Sequence, residues 1–247
     1  MELTILVTSA GFAGKDDACS SYLLSVQGAQ YLIDMGPGSL ASLQNHVNFR
    51  EVDAVLLSHL HPDHVSDLYT FRFAVSVAQK EGSMPHPFPI FMPDQPAETF
   101  TFIRSNIDEE FAVTVVGEGK RLDLGGLSVQ FQRTRHPVLA HAMRFEHEGR
   151  VFVYTTDTSY FEGLVAFCSG ADLLLAEATL QERDRDLEEM GHMTARTAGR
   201  LALQAGVHTL VLTHIWPEYD RRPSLEEARQ TFSGTVHIAK RGMHLSI

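Results

Sequence analysis

The sequence predicts an α+β protein in which two mixed β-sheets are flanked by helices. Short apolar runs dominate the chain, and several of them are rich in β-branched or aromatic residues, which is typical of strands. Strands come first, strands and helices then alternate, and a second block of strands follows, an order that favours two sheets with helices outside them. The length of 247 residues fits one large domain, so we expect residues 1–247 to form a single domain.

Strands are expected where an apolar run lies between turn-forming residues. In the first half of the chain these runs are residues 3–8, 21–26, 31–35, 53–58, 88–92 and 112–116. In the second half they are residues 127–134, 143–146, 151–155, 173–176, 209–213 and 236–239. The runs 143–146 and 151–155 predict a hairpin that turns at Glu148-Gly149. The run 53–58 is almost continuously apolar, so we expect it to be buried on both faces.

Helices are expected where apolar residues recur every three or four positions. The longest such segment covers residues 65–80 and ends before Gly82. Residues 194–205 form a second helix, which Thr194 can cap and Gly206 can end. Shorter patterns cover residues 38–47, 97–106, 160–168 and 225–232. Residues 182–189 carry charges of both signs and predict a solvated loop or helix.

The composition excludes several classes of protein. Hydrophobic residues make up 44% of the chain and charged residues 21%, as in an ordinary globular protein. The net charge of −11 disfavours extended contact with nucleic acid, which needs a basic stripe. The two cysteines, Cys19 and Cys168, are too few for a Cys-based zinc site or a disulfide framework. We expect a cytoplasmic protein without a membrane partner, since no signal peptide or membrane span is predicted.

Histidine is frequent, with 13 residues, and three histidines lie in one motif directly after the buried strand 53–58. The motif Ser58-His59-Leu60-His61-Pro62-Asp63-His64 holds three imidazoles and one carboxylate, groups that bind zinc, iron or manganese at catalytic sites. In an extended segment His59 and His61 project to the same side. A turn into the following helix would bring Asp63 and His64 back towards them. The simplest arrangement is one metal ion on each pair.

Further ligands are needed, because a catalytic zinc takes three protein ligands and keeps one position open. Three single residues at the ends of other predicted strands are candidates. They are His136, Asp157 and His214.

Together these residues resemble the metallo-β-lactamase-fold hydrolases. The resemblance implies an αββα four-layer sandwich that holds two divalent metal ions, with zinc favoured and manganese or iron as alternatives. It implies that one ion is bound by His59, His61 and His136. The other ion would be bound by Asp63, His64 and His214, with Asp157 as the bridge between the two. Asp34 would orient the site through hydrogen bonds.

A closer resemblance is to the ribonuclease Z-like branch and its cyclic phosphodiesterases. It is carried by Leu-Leu-Ser-His at 56–59, Leu-Leu-Ala-Glu-Ala-Thr at 174–179 and Gly-His-Met-Thr-Ala at 191–195. It implies that His192 faces the scissile phosphate and that Glu177 lies close to it. The catalytic residues would be Asp63, which positions the attacking hydroxide, His192, which protonates the leaving oxygen, and Glu177, which orients His192. The alternatives are that His192 is a surface-loop histidine and that Glu177 belongs to a structural charge pair.

The chain departs from ribonuclease Z in the interval between His136 and Asp157. In that enzyme a long Gly/Pro-rich arm at this place grips tRNA, whereas here the predicted hairpin fills the interval. The expected substrate is therefore a small anionic phosphodiester, cyclic or open, and no extended nucleic acid. A homodimer through residues 65–80 is implied by resemblance alone.

Other functions stay open at this point. Ribonuclease Z-like RNA processing is one, and a metal-loaded scaffold without catalysis is another. Hydrolysis of lactones, thioesters or esters uses the same metal site, and Tyr160 has the spacing from Asp157 of a substrate-binding tyrosine in some lactonases. His141 would reach the substrate or lie on the surface of the hairpin. The proline-rich residues 79–96 are expected to form a loop near the mouth of the site.

Overall fold

Two compact units make up the structure, a computed structural model that describes residues 1–107 and 109–247. The N-terminal unit comprises Met1–Val116 and Lys240–Ser246, and the C-terminal unit comprises Gly117–Ala239 with Ile247. Each unit contains one mixed, seven-stranded sheet with helices packed against it, which confirms the two predicted sheets. The prediction of a single domain stays a prediction. No helix among the described residues has the length and hydrophobicity needed to cross a bilayer.

The strands of the N-terminal unit are β1 (Glu2–Val7), β2 (Ser21–Val26), β3 (Ala29–Ile33), β4 (Ala54–Leu56), β5 (Phe88–Met92), β6 (Phe111–Val115) and β14 (His244–Ser246). Their order in the sheet is β14-β1-β2-β3-β4-β5-β6, and the strands from β3 to β6 are parallel. The helices are α1 (Ser39–Leu43), α2 (Pro62–Val65), α3 (Leu68–Lys80) and α4 (Ala97–Ile107). The apolar face of α3 is buried in the core with the inward side chains of β5.

The strands of the C-terminal unit are β7 (Arg121–Leu124), β8 (Leu127–Arg133), β9 (His141–His147), β10 (Arg150–Tyr154), β11 (Leu173–Glu177), β12 (Thr209–Thr213) and β13 (Thr235–Ile238). Their order is β13-β12-β11-β10-β9-β8-β7, and the strands from β10 to β13 are parallel. The helices are α5 (Glu162–Cys168), α6 (Ala195–Ala205) and α7 (Arg221–Arg229). A 3₁₀ segment covers Glu182–Met190, where the sequence predicts a loop or helix.

Parallel pairing explains where the polar residues of interest gather. The carboxyl ends of parallel strands meet at one edge of a sheet, and ligand-binding loops lie beyond that edge. In the N-terminal sheet the loops after β3 and β4 carry Asp34 and the motif that begins at Ser58. In the C-terminal sheet Asp157 follows β10 and His214 follows β12. Each unit therefore presents one polar cluster at one edge of its own sheet.

Some predicted elements are wrong in extent. Residues 65–80 are not one helix, because the chain breaks at Ser66-Asp67, between α2 and α3. The break is tied down by Asp67, whose carboxylate accepts a hydrogen bond of 2.8 Å from the backbone of Leu40. Helix α7 begins at Arg221 rather than Leu225, because the side chain of Asp220 accepts a hydrogen bond from the backbone of Arg222.

The proline-rich segment 79–96 is not a continuous loop. It contains β5, a central strand of the N-terminal sheet, with Phe88, Ile90 and Met92 fully buried. Only the residues on either side of β5 connect it to α3 and α4.

Candidate functional site

Asp34 organises the cluster in the N-terminal unit. It lies directly after β3, is fully buried, and has a positive φ of 57°. Its carboxylate accepts hydrogen bonds from the backbone N–H of Ser58 at 2.7 Å and from the Ser58 hydroxyl at 2.8 Å. It also lies 2.8 Å from Nδ1 of His64. When Nδ1 of His64 donates this hydrogen bond, Nε2 keeps its lone pair for a metal ion, which is the orienting role predicted for Asp34.

His59 and His61 present ring nitrogens to one another. Nε2 of His59 lies 3.1 Å from Nδ1 of His61. Two nitrogens bound to one tetrahedral zinc at about 2.05 Å are about 3.3 Å apart, so this spacing fits a shared ion. The ring of His64 is also close to that of His59, with centroids 4.0 Å apart. The predicted projection of His59 and His61 to one side is therefore confirmed.

Asp63 lies at the start of α2, which His61 and Pro62 introduce. One of its carboxylate oxygens accepts a hydrogen bond of 2.9 Å from the backbone of Gly11 and lies 3.6 Å from Nε2 of His64. The turn into the helix thus brings Asp63 and His64 together, as the spacing predicts.

In the C-terminal unit Asp157 lies between two histidines. One of its carboxylate oxygens lies 3.9 Å from Nε2 of His136, and the other lies 3.5 Å from Nε2 of His214. The three side chains are almost completely buried. A carboxylate that faces a different imidazole with each oxygen has the orientation of a bridging ligand.

The other ring nitrogen of each histidine is held by the protein. Nδ1 of His136 donates to the backbone carbonyl of Gly191 at 3.1 Å. Nδ1 of His214 lies 2.9 Å from the hydroxyl of Thr179. Burial lowers the pKa of His136, while the charge of Asp157 acts to raise it. The net lowering favours the neutral imidazole that a metal ligand requires.

Glu177 is fully buried at the end of β11 and is surrounded by donors. Its Oε1 accepts hydrogen bonds from the backbone of Thr158 and of Met193, at 3.2 and 3.0 Å. Oε1 also lies 3.1 Å from Nδ1 of His192, and Oε2 accepts from Thr179. The carboxylate therefore contacts both the His192 imidazole and the backbone on either side of the cluster.

His192 completes this cluster. Its ring lies 5.2 Å from that of His136 and 5.9 Å from that of His214, measured between centroids. Ligand atoms of Asp157, His192 and His214 all lie within 4.8 Å of one another. Its side chain is 22% exposed, so a substrate can reach it. His192 therefore lies in one cluster with Asp157 and His214 rather than alone in a surface loop.

Thr179 and Gly191 lie near the cluster but have no predicted role. They belong to the sequence motifs at 174–179 and 191–195. Thr179 contacts Glu177, His192 and His214 through one hydroxyl. Its place two residues after Glu177 is the only sequence signal for this role. Gly191 precedes His192 and passes so close to His136 that an added Cβ would lie 2.9 Å from its Nδ1.

His141 is not on the hairpin surface. It begins β9, is only 2% exposed and lies edge-on to Phe131. The hairpin of β9 and β10 fills the interval between His136 and Asp157, and it turns at Glu148-Gly149 as predicted. No long arm is present between these two residues.

The chain belongs to the β-lactamase superfamily. The model of the beta-lactamase superfamily domain matches residues 29–215. A probable metallo-hydrolase of Bacillus subtilis, YhfI, is 34% identical over 243 residues, which cover 98% of each chain. The crystal structure of YhfI, described as a metallo-β-lactamase fold protein, matches with a TM-score of 0.93 at 33% identity, over 99% of this chain and 98% of that chain.

The chain is also similar to a ribonuclease Z and, in fold, to a diphosphatase. The ribonuclease Z of Haloarcula marismortui is 28% identical over 298 residues, which cover 98% of this chain and 96% of the relative. A diphosphatase of the PhnP family shares the fold, with a TM-score of 0.79 at 18% identity over 100% of this chain and 97% of that chain. The protein is a metallo-hydrolase of the β-lactamase superfamily, and its His/Asp clusters suit divalent metal ions.

Proposed function

We propose that the protein hydrolyses small phosphodiesters at a dinuclear metal centre. The hydrogen bond between Glu177 and His192 carries this proposal. A histidine whose Nδ1 is held by a buried carboxylate presents Nε2 outward, and it can give a proton to a leaving alkoxide. Hydrolysis of a lactone or thioester at the same metals does not need such a group.

The proposed ligands divide between the two units. One ion would be held by His59, His61 and His136 and the other by Asp63, His64 and His214, and Asp157 would be shared between the two. This requires that residues 1–247 act as one domain, and the continuous family match over 29–215 supports it. When bound, two divalent cations acidify water and neutralise the charge that develops on the phosphoryl oxygens. We propose zinc, with manganese and iron as the alternatives, because His and Asp side chains bind all three.

The protein side chains direct the proton transfers. Asp63, held by the backbone N–H of Gly11, shares the positioning of the attacking hydroxide with Asp157. His192 gives its Nε2 proton to the leaving oxygen as the P–O bond breaks. Glu177 keeps the Nδ1 proton of His192 in place and stabilises the imidazolium before transfer.

Three observations support a small substrate. The net charge of −11 offers no basic stripe for a polynucleotide. The β9–β10 hairpin occupies the place where ribonuclease Z carries its tRNA-binding arm. A structural neighbour is described as a diphosphatase of the PhnP family.

An activity panel on the metal-loaded protein tests the proposal. We expect turnover of bis-p-nitrophenyl phosphate and of 2′,3′-cyclic nucleotides, and none of pre-tRNA. Turnover of lactones or thioesters without phosphodiesters would establish the ester-hydrolase alternative. Cleavage of pre-tRNA would establish ribonuclease Z-like processing, and full metal occupancy without any turnover would indicate a binding scaffold.

We also propose a homodimer in the cytoplasm. Two large apolar side chains of α3, Phe73 and Val77, are 67% and 51% exposed, and Phe102 of α4 is 60% exposed. A second copy of the chain would cover them. Light scattering should give twice the chain mass for the wild type and a lower mass for Phe73→Glu. A monomeric wild type would contradict the dimer, and cell fractionation tests the compartment.

A further inference from the structure

An open pocket of about 680 Å³ lies in the C-terminal unit beside the proposed metal ligands. His136 and Gly191 line one side of it, and Arg135, Tyr160 and Arg200 line another. A volume of this size accommodates a small organic group. Because His136 is a proposed metal ligand, a substrate whose phosphodiester is at the metals can extend into this pocket.

Two arginines of the pocket, Arg135 and Arg200, lie against aromatic rings. The Cζ atom of Arg200 lies 4.3 Å above the ring of Tyr160, and that of Arg135 lies 5.3 Å from the ring of Phe161. A guanidinium group in such a contact keeps N–H donors for other partners. Among the described residues, neither arginine lies within ion-pair distance of a carboxylate.

Tyr160 is held beneath Arg200, and two acids also line the pocket. The hydroxyl of Tyr160 contacts Glu162 and Gln204, both at 2.8 Å, and this fixes the ring beneath Arg200. The acid Glu188 also lines the pocket, but its carboxylate accepts hydrogen bonds from the backbone and hydroxyl of Thr194.

A second acid, Glu189, also lines the pocket, and Glu189, Arg135 and Arg200 are all exposed to solvent, which screens the three charges alike. The lining therefore carries two guanidinium groups and two carboxylates. Of the two acids, Glu188 already has hydrogen-bond partners in Thr194, whereas neither arginine is paired with a carboxylate among the described residues.

We infer that this pocket binds a second oxyanion of the substrate, a carboxylate or phosphate group on the part of the molecule that does not react. The inference rests on the proposed function and names the substrate class further: a phosphodiester with an additional negative group. Guanidinium edges bind carboxylate and phosphate oxygens through paired, charge-assisted hydrogen bonds. Arg135 and Arg200 are thus specificity-determining residues.

The test uses matched substrates on the metal-loaded enzyme. 4-Nitrophenyl 4-carboxyphenyl phosphate and its 4-carbamoylphenyl analogue have nearly the same shape and differ by one charge, and a 4-phosphonophenyl analogue supplies the phosphate-like arm. We expect kcat/KM of the wild type to favour the charged substrates by about tenfold or more, mainly through KM. The larger of the two preferences identifies the oxyanion.

Substitutions then locate the effect. Arg200→Gln and Arg135→Gln should each lower the preference for the charged substrates about tenfold and leave turnover of the carbamoyl substrate unchanged. Arg229→Gln, at the exposed end of α7, is the matched control and should change neither. Equal rates for charged and uncharged substrates in the wild type, or a preference that survives in both variants, would overturn the inference.

Calorimetry separates this inference from the proposed function. If the wild type hydrolyses none of these diesters, the proposed function fails, and binding of 4-carboxyphenyl phosphate against 4-carbamoylphenyl phosphate still tests the pocket. Tighter binding of the carboxylate in the wild type, lost in Arg200→Gln, supports the pocket assignment. Equal binding of the two compounds rejects it.

Discussion

Oε1 of Glu177 lies 3.1 Å from Nδ1 of His192, and the same oxygen accepts a hydrogen bond of 3.0 Å from the backbone of Met193. The carboxylate thus fixes both the imidazole and the main chain that carries it. A proton on Nδ1 of His192 is held towards Glu177, and Nε2 is left to face a substrate. If His192 acts as a general acid, the proton on its Nε2 therefore points in one defined direction.

His192→Ala should lower kcat by about 10²–10⁴-fold on a phosphodiester with an alkoxide leaving group. The loss should be much smaller with 4-nitrophenolate as leaving group, because that anion is stable without protonation. Steady-state kinetics on a series of leaving groups measures the difference. An equal loss on all of them would show that His192 is not the acid.

Glu177→Gln tests the positioning role separately. The amide keeps the size of the side chain but cannot accept hydrogen bonds from every donor that surrounds Glu177. We expect kcat to fall with little change in KM. We also expect the pH profile of kcat to shift, because the contact between Glu177 and His192 is altered. Asp186→Asn, in the exposed 3₁₀ segment, is the control and should have no effect. An unchanged pH profile in Glu177→Gln would contradict the positioning role.

Removal of metal should abolish hydrolysis. Treatment with a chelator should eliminate activity, and zinc or manganese should restore it. Elemental analysis should find two ions per chain in the wild type and fewer in His61→Ala and Asp157→Ala, because each variant removes a proposed ligand. Activity that persists in the chelated protein would rule out the two-metal mechanism.

Gly191→Ala should impair the site through the backbone. Gly191 has a φ of 98°, and an added Cβ would lie 2.7 Å from Cδ of Pro137 and 2.9 Å from Nδ1 of His136. We expect a loss of about 2 kcal/mol in the free energy of unfolding, and loss of activity as His136 is displaced. Gly206→Ala is the matched control, since its φ is 63° and no atom lies within 4 Å of the added Cβ. It should cost about 1 kcal/mol and leave turnover unchanged.

The ion pair between Arg72 and Glu110 should make stability depend on pH. Two hydrogen bonds, of 2.9 and 3.2 Å, join the side chains, and the Arg72 guanidinium lowers the pKa of Glu110. A lowered carboxylate pKa stabilises the fold above the unfolded-state pKa, about 4.3, and this contribution is lost as the pH falls through the folded-state value. Glu110→Gln should cost about 1 kcal/mol at neutral pH. Urea unfolding should show the two proteins converging in acid, and a constant difference would contradict the linkage.

The sequence predicts the central strands and the His-rich motif well because their signals are local. A buried parallel strand is a continuous apolar run, and the motif at 58–64 is compact enough to be recognised alone. Helix α6 is equally clear, since Thr194 caps it and Gly206 ends it as predicted. The two edge strands β7 and β14 are missed because both are short and polar.

Contacts between distant residues account for the other differences. Asp67 interrupts the predicted helix because its carboxylate binds the start of α1, which no local pattern reveals. The strand predicted at 88–92 is present as β5, whereas the loop predicted over 79–96 is wrong at these residues, because Phe88, Ile90 and Met92 are buried between the neighbouring strands. Thr179 contacts two histidines from other loops, so its role depends on the parallel alignment of β11 and β12.

Asp34, Thr156 and His214 are non-glycine residues with φ values of 57°, 49° and 49°, and each follows a strand that ends at a polar cluster. Asp and His adopt this conformation more easily than most residues with a Cβ, so the β-branched Thr156 is the least favourable of the three. A selection for heat resistance should therefore tolerate Thr156→Gly. The same substitution should make the loop before Asp157 less rigid. Thermostability and catalytic efficiency are thus opposing objectives in the redesign of this protein.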